Sequence, residues 1–491
     1  MSRPCVSHFT RLRHVGLLCL VLSILPARSS CADPLGESID AILGAKSLAN
    51  VRMSVRVLDC ATGEVLYSFK ADRNQPPASN AKLFVTATAL ELLKPDFEYV
   101  TVIWRDGALK DGVLSGNLVL QGSGDPNFSG RFHDGDVNFV PRAWAIQIAR
   151  AGVREITGDL VCDDSLFDRQ LVNPFWTRRD QQNWYAPQVS ALSFNDNCLD
   201  LYVGPGKNVG DPAVVFSKPD TAYVDILNTC KTTTQRANPS VWRDLGTNRI
   251  HVAGSIYQKS GRGRHWIPVH DPALYLGNVF AEELKAAGVR LNGKVRLVDK
   301  AGAPISDRDE RALVVFRSPL LQTLAVTNKN SQALYAESLT KLLGARFGKA
   351  GSFAEGLAVV DRFLVEQVKL PVDSVKLVDG SGLADQNRCS AMDITELLRV
   401  MSRSPNAKAF MECLSVAGVD GTLSKRLQDP PCRGNLFGKT GRIAGARTLS
   451  GYARTRSGRL LAFSMLAASV TDEGAVDDAH DRICRLLCEI K

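Results

Sequence analysis

Ser79 and Lys82 stand three residues apart, as Ser79-Asn80-Ala81-Lys82, where Pro76-Pro77-Ala78 gives way to an apolar run spaced at Leu83, Ala87, Leu90 and Leu93. That change of pattern places Ser79 at the start of a helix. Three residues are nearly one helical turn, so Lys82 projects beside Ser79, and the helix N-terminus favours the negative charge that develops on an attacked carbonyl. A Lys in that place can take the hydroxyl proton if it is neutral. Desolvation and a second cation nearby can lower its pKa far enough. The alternative for Ser79 is a plain helix cap. A second Ser-x-x-Lys, Ser338-Leu339-Thr340-Lys341, lies inside a helical run with no turn ahead of it and reads as surface residues. Lys439-Thr440-Gly441 occurs once, on a segment that reads as a strand opening a hairpin. A cationic Lys and a hydroxyl on an edge strand, followed by a Gly that admits substrate backbone, make a rail for a carboxylate; the bland alternative is an ordinary strand end. Nucleophile, base and rail in one chain are the parts of a serine acyl-transferase.

The elements that must position these residues come from both ends of the chain. Arg52 to Asp59 and Glu64 to Lys70 are β-rich runs separated by Ala61-Thr62-Gly63, a hairpin pattern. Leu436 to Lys439, Arg447 to Ala453 and Arg459 to Ala467 read as three more strands, followed by an amphipathic helix from about Asp477 to Ile490. The expected fold class is therefore α+β, with a five-stranded antiparallel sheet. Helical periodicity after Ser79, across Leu334 to Leu343, from Ala354 to Val368 and from Ile394 to Met401 supplies flanking helices. Between about Lys94 and Ile305 the chain becomes short β-like segments, interrupted by helical stretches at Pro141 to Ala151 and Pro272 to Ala287. This predicts a catalytic domain made of residues 33–93 and 306–491, interrupted by a β-rich insertion, 94–305, of one or two nested accessory domains.

Residues 1–32 carry Arg3, Arg11 and Arg13, an apolar run from Val15 to Leu25, and small residues up to Ser30 and Ala32, the pattern of a secretory signal. The protein is expected to be exported, to the periplasm or the cell wall, and no stretch is long enough for a transmembrane anchor. Cleavage after Ala32 is preferred to lipidation of Cys31, because Arg28 is a poor lipobox residue. The net charge of +9 falls to +5 when the four arginines of the leader are removed, and no basic-aromatic stripe tracks a phosphate backbone, so nucleic acid is not an expected partner. Nine of the twelve cysteines remain, an odd number whose pairing the sequence does not give. The five remaining histidines, at 133, 251, 265, 270 and 480, show neither HExxH spacing nor a metal cluster. Metal-free, cofactor-free chemistry is expected.

Longer stretches carry a resemblance to a family. They are Gly122-Ser123-Gly124-Asp125-Pro126, Trp184-Tyr185-Ala186, Val189 through Asn197, Asn328-Lys329-Asn330-Ser331, Asp379-Gly380-Ser381-Gly382-Leu383, and Gly418-Val419-Asp420-Gly421-Thr422-Leu423. With the Ser79 and Lys439 motifs, the chain resembles the class C low-molecular-mass penicillin-binding proteins, D-Ala-D-Ala carboxypeptidases with endopeptidase activity. The resemblance implies a transpeptidase/β-lactamase-like fold, peptidoglycan stem peptides as substrates and β-lactams as covalent inhibitors. It implies Ser79 as the acylated nucleophile, Lys82 as its base, and Ser331 as the proton relay to the leaving D-alanine. Lys439, Thr440 and Gly441 would bind the substrate carboxylate, Lys439 would help keep Lys82 neutral, and the backbone N–H groups of Ser79 and Arg442 would form the oxyanion hole.

The second element departs from the family pattern. Ser331-Gln332-Ala333 has Ala333 where the family has an Asn that hydrogen-bonds substrate and helps position the Lys. Gln332, Asn328 and Asn330 are the candidates to compensate. Without compensation, the alternative is a catalytically weakened member that binds cell-wall peptide or a partner. A β-lactamase, which needs fast deacylation, is a third reading that the long insertion argues against. Arg442, after the Lys-Thr-Gly, either reshapes the carboxylate site or points to solvent. Asp379 to Gly382 could line the cleft, but a tight turn explains its glycines equally well and is the preferred reading.

Overall fold

The computed structural model describes residue 1 and residues 34–299 and 305–491. The leader expected over residues 1–32 lies, apart from Met1, outside the described residues. Among the described residues no helix is long and apolar enough to cross a membrane.

Strands from the two ends of the chain do form one antiparallel sheet, in the order Ser415–Val416, Leu436–Ile443, Ala446–Arg454, Leu460–Ala468, Arg52–Asp59, Val65–Phe69. It has six strands rather than five, the addition being the two-residue edge strand Ser415–Val416. The first hairpin is closed by Asp59, whose carboxylate accepts from the Ala61 and Thr62 N–H groups at 2.8 and 2.9 Å. Alternate residues of each central strand enter different cores, as a two-residue side-chain period requires. Val55, Val57, Phe463 and Met465 pack with Ile483 and Leu487 of the C-terminal helix Glu473–Glu489. Leu58, Ala462 and Leu466 pack on the other face with Phe84 and Leu90 of the helix that follows Ser79, Ala81–Leu93, and with Leu397 and Leu398 of the helix Ala391–Arg403.

The chain between forms a second body around its own core. A seven-stranded sheet runs through Glu98–Lys110 and Val113–Gln121. One smaller, three-stranded sheet has the order Gly263–Pro268, Cys198–Gly204, Val214–Lys218. The helices Phe139–Arg150 and Pro272–Ala286 flank them near the expected positions. Trp144 stands at its centre, edge-on to Phe128, Phe280 and Phe316. Phe316 belongs to the strand Ala312–Pro319, which pairs antiparallel with Glu98–Lys110. The expected boundary at 305/306 therefore does not coincide with an end of this sheet. Its edge is completed by a strand assigned from sequence to the catalytic part.

The helix Ala333–Phe347 corrects another expectation. Every residue from Ala333 to Gly344 is buried, Ser338 and Lys341 among them, so the second Ser-x-x-Lys is not a surface feature. Lys341 Nζ donates to Asp168 Oδ1 at 2.7 Å, to the Asp168 carbonyl at 3.2 Å and to the Gln170 carbonyl at 2.9 Å. It also lies 4.5 Å over the Phe353 ring. The ammonium thus pins the second body to the helix Ala333–Phe347. Lys341→Met keeps the apolar stem but removes these bonds, and is expected to cost about 2 kcal/mol, the range for losing a charged buried partner whose counterion can still reach solvent. Chemical denaturation checks this. An unchanged midpoint would show that the junction does not depend on the ammonium. The nine cysteines of the described residues are all buried and unpaired.

Candidate active site

Ser79 lies in the short turn Ala78–Asn80, which runs directly into the helix Ala81–Leu93. The turn is strapped to the sheet on both sides of the serine. Thr448 Oγ1 donates to the Pro77 carbonyl at 2.9 Å, and Asn80 Nδ2 donates to Ser450 Oγ at 2.8 Å. Two glycines let other segments approach it. A Cβ on Gly441 would stand 2.1 Å from Thr448 Oγ1 and 3.0 Å from Ser79 N, so only glycine lets the rail strand come this close. A Cβ on Gly382, whose φ is +76°, would stand 1.8 Å from the Ala78 carbonyl oxygen.

Four of the expected side chains converge in two hydrogen-bonded pairs. Lys82 Nζ donates to Ser79 Oγ at 3.3 Å, and Lys439 Nζ donates to Ser331 Oγ at 2.9 Å. Both ammonium groups are buried. Burial lowers Lys82 to about 8, against the opposing pull of Asp379 and Glu337. Burial also holds Lys439 well below the usual Lys range, and the charge of Lys82 adds to that. Two like charges in one desolvated site favour loss of a proton from one of them. Ser331 has φ +58°, an uncommon backbone for a residue with a Cβ, of the kind that collects at functional sites. Thr440 donates to Thr422 Oγ1 at 2.8 Å, which fixes its hydroxyl on the rail. Arg442 turns its side chain away to Glu473, at the start of the C-terminal helix, 2.7 Å away.

Sequence reasoning missed three participants. Lys82 Nζ also donates to the Ser381 carbonyl, so the Asp379 to Gly382 segment, for which a plain turn is the preferred reading, lines the site. Asp379 makes that turn rigid: it accepts from the Gly382 and Ala384 N–H groups at 2.6 and 2.7 Å, and from the Trp176 indole at 2.9 Å. Glu337 is fully buried one helical turn beyond Ala333, accepts from the Ser381 N–H at 2.8 Å, and is raised to about 8 by burial and by the Asp379 charge. A carboxylate four residues after Ala333 on the same helix face is a signal the spacing carried.

Two of the three candidates to compensate for Ala333 are engaged elsewhere. Asn328 donates to Thr86 Oγ1 at 3.1 Å, on the helix that follows Ser79. Gln332 donates to Asp196 Oδ2 at 2.8 Å, in the second body. Asn330 is exposed.

Residues 35–489 match the D-Ala-D-Ala carboxypeptidase 3 (S13) family. The chain belongs to that family. A D-alanyl-D-alanine carboxypeptidase of Actinomadura sp. is 34% identical over 470 residues, covering 91% of this chain and 84% of the relative. The crystal structure of penicillin binding protein 4 (dacB) from Haemophilus influenzae superposes with a TM-score of 0.79 at 22% identity, over 92% of this chain and 99% of that one. The same protein complexed with a novel β-lactam gives a TM-score of 0.73 at 21% identity, over 92% of this chain and all (100%) of that one. The family member described here is thus a low-molecular-mass penicillin-binding protein and a serine-type D-Ala-D-Ala carboxypeptidase, with the expected fold class.

Proposed function

We propose that the family's reaction runs on this chain through Ser79, on the stem peptides of peptidoglycan, outside the cytoplasm. The observation that carries the assignment is the buried Lys82 amine 3.3 Å from Ser79 Oγ. Neutral Lys82 takes the hydroxyl proton as Oγ attacks the carbonyl carbon of the penultimate D-alanine. The oxyanion accepts from the backbone N–H groups of Ser79 and Arg442. When the C–N bond breaks, Ser331 passes a proton to the amine of the departing D-alanine. Water then hydrolyses the ester and frees Ser79. Lys439, Thr440 and Gly441 hold the terminal carboxylate. The same attack on a β-lactam carbonyl opens the ring and leaves an acyl-enzyme with no amine to depart, and the β-lactam complex of the Haemophilus relative supports that reading. The pattern of residues 1–32 supports export to the periplasm or cell wall.

Free D-alanine released from a short peptide ending in D-Ala-D-Ala tests the carboxypeptidase reading. One D-alanine per peptide is expected, with release abolished by prior exposure to benzylpenicillin. Peptide binding with neither release nor a penicillin adduct would instead support the weakened, binding-only member that Ala333 suggests.

A further inference from the structure

The Ser381 peptide group stands between two ionisable side chains. Its carbonyl accepts from Lys82 Nζ, and its N–H donates to Glu337 Oε1 at 2.8 Å. Lys82, Ser381 and Glu337 are all buried. The turn that carries Ser381 is wedged against both of its neighbours. A Cβ on Gly380 would stand 2.1 Å from Thr340 Oγ1, on the helix Ala333–Phe347 that bears Glu337, and one on Gly382 would meet the Ala78 carbonyl beside Ser79. A displacement of the Ser381 peptide therefore moves the acceptor of Lys82, and with it the amine that takes the Ser79 proton.

Holding that peptide does not need a charge. A neutral amide of the same shape would satisfy Ser381 as well, whereas a buried carboxylate adds a cost of desolvation. Burial and the charge of Asp379 push the Glu337 carboxyl up to about 8, against the hydrogen bonds of Ser381 and the charge of Lys82. The charged groups around Glu337 are Lys82 on the helix that follows Ser79, Asp379 in the turn, and Lys341 one turn along its own helix. Asp379 is occupied by the Gly382 and Ala384 N–H groups, the Asn387 amide and the Trp176 indole, and Lys341 by Asp168. Lys82 is the cation left to face Glu337, and the carboxylate charge opposes the loss of its proton.

We infer that Glu337 is a positioning residue for the base, which anchors the Ser381 peptide that receives Lys82 Nζ and supplies the negative charge that the amine faces across that peptide. The inference rests on the proposed function, in which Lys82 takes the Ser79 proton. Ala333 lies one turn before Glu337 on the same helix face, so the anchor acts from the side of the site where the expected amide is missing.

Two variants of the full-length protein separate anchor from charge. Glu337→Gln keeps an oxygen for the Ser381 N–H and removes the charge, and Glu337→Leu removes both. NMR titration of protein whose lysines carry carbon-13 at Cε reads the proton on Lys82 directly, its signal being the one missing from Lys82→Met. In the wild type that signal titrates at about 8. In Glu337→Gln its midpoint moves down by about one pH unit, because the charge that retained the proton is gone. Mere loosening of the site would hydrate the amine and move the midpoint up instead. Acylation by benzylpenicillin above the midpoint reads the anchor: Glu337→Leu reacts at least about tenfold more slowly than Glu337→Gln, as for a displaced catalytic group. A Lys82 midpoint that stays in place or rises in Glu337→Gln overturns the inference, whether or not Glu337→Leu folds. Equal acylation rates in the two variants overturn it as well. Failure of the wild type to be acylated counts against the proposed function alone, and the Lys82 titration still decides the inference.

Discussion

Intact mass after incubation with benzylpenicillin rises by one inhibitor per chain in the wild type and is unchanged in Ser79→Ala. Lys82→Met is expected to slow the same acylation about 10³- to 10⁴-fold, the upper part of the range for losing a general base. The pH dependence identifies which role Lys82 plays. Lys82 is lowered to about 8 by burial. As a base it acts only when unprotonated, so the acylation rate climbs as pH rises through about 8 and levels off above it. Below about pH 7 the rate falls tenfold per pH unit, because the neutral fraction does. A purely electrostatic role for a protonated Lys82 predicts the reverse, with the rate lost as pH rises through that value. A flat profile from pH 6 to 9 in the wild type, or an unchanged rate in Lys82→Met, would remove Lys82 from the proton transfer.

The parts of this site that were legible in the sequence are those with local patterning. The turn at Pro76-Pro77-Ala78, the apolar spacing after it and the strands around Lys439 each fix their own element, and the two chain ends meet because strands of one pattern need partners. What could not be read arises from burial by distant segments. The helix Ala333–Phe347 looks like half-exposed helix in isolation. The second body covers the face that solvent would otherwise meet, and Lys341 is neutralised there by Asp168 and two carbonyls. The strand Ala312–Pro319 finds its partner more than 200 residues earlier, and no local signal says so. Ser415–Val416 is too short to show a period. The glycines of the Asp379 to Gly382 segment mark a turn. That its Ser381 carbonyl faces Lys82 depends on the close approach permitted by Gly382, a tertiary fact.

Ala333→Asn is expected to raise the β-lactam acylation rate about 10- to 100-fold, the reverse of losing one preorganised donor in an acyl-transfer site. Two of the three side chains that could stand in for the missing amide are engaged: Asn328 holds Thr86, and Gln332 holds Asp196. Asn330 is exposed. Neither Asn328 nor Gln332 is therefore free to supply that donor, and Lys82 is held by the Ser381 carbonyl with Asp379 and Glu337 nearby. Restoring the amide at residue 333 adds a neutral donor one turn before Glu337, on the helix face that bounds the Lys82 cluster. It should act on the rate and leave the midpoint of the pH profile near 8, since the burial that lowers Lys82 is unchanged. Stopped-flow acylation of wild type and variant across pH 6 to 9 separates the two effects. A gain with an unmoved midpoint assigns the deficit to substrate positioning. A gain with a shifted midpoint assigns it to Lys82 itself. No gain in a folded variant would mean that Glu337, Ser381 and Asp379 already do what the family's Asn does, and that Ala333 is a settled variation rather than a lesion.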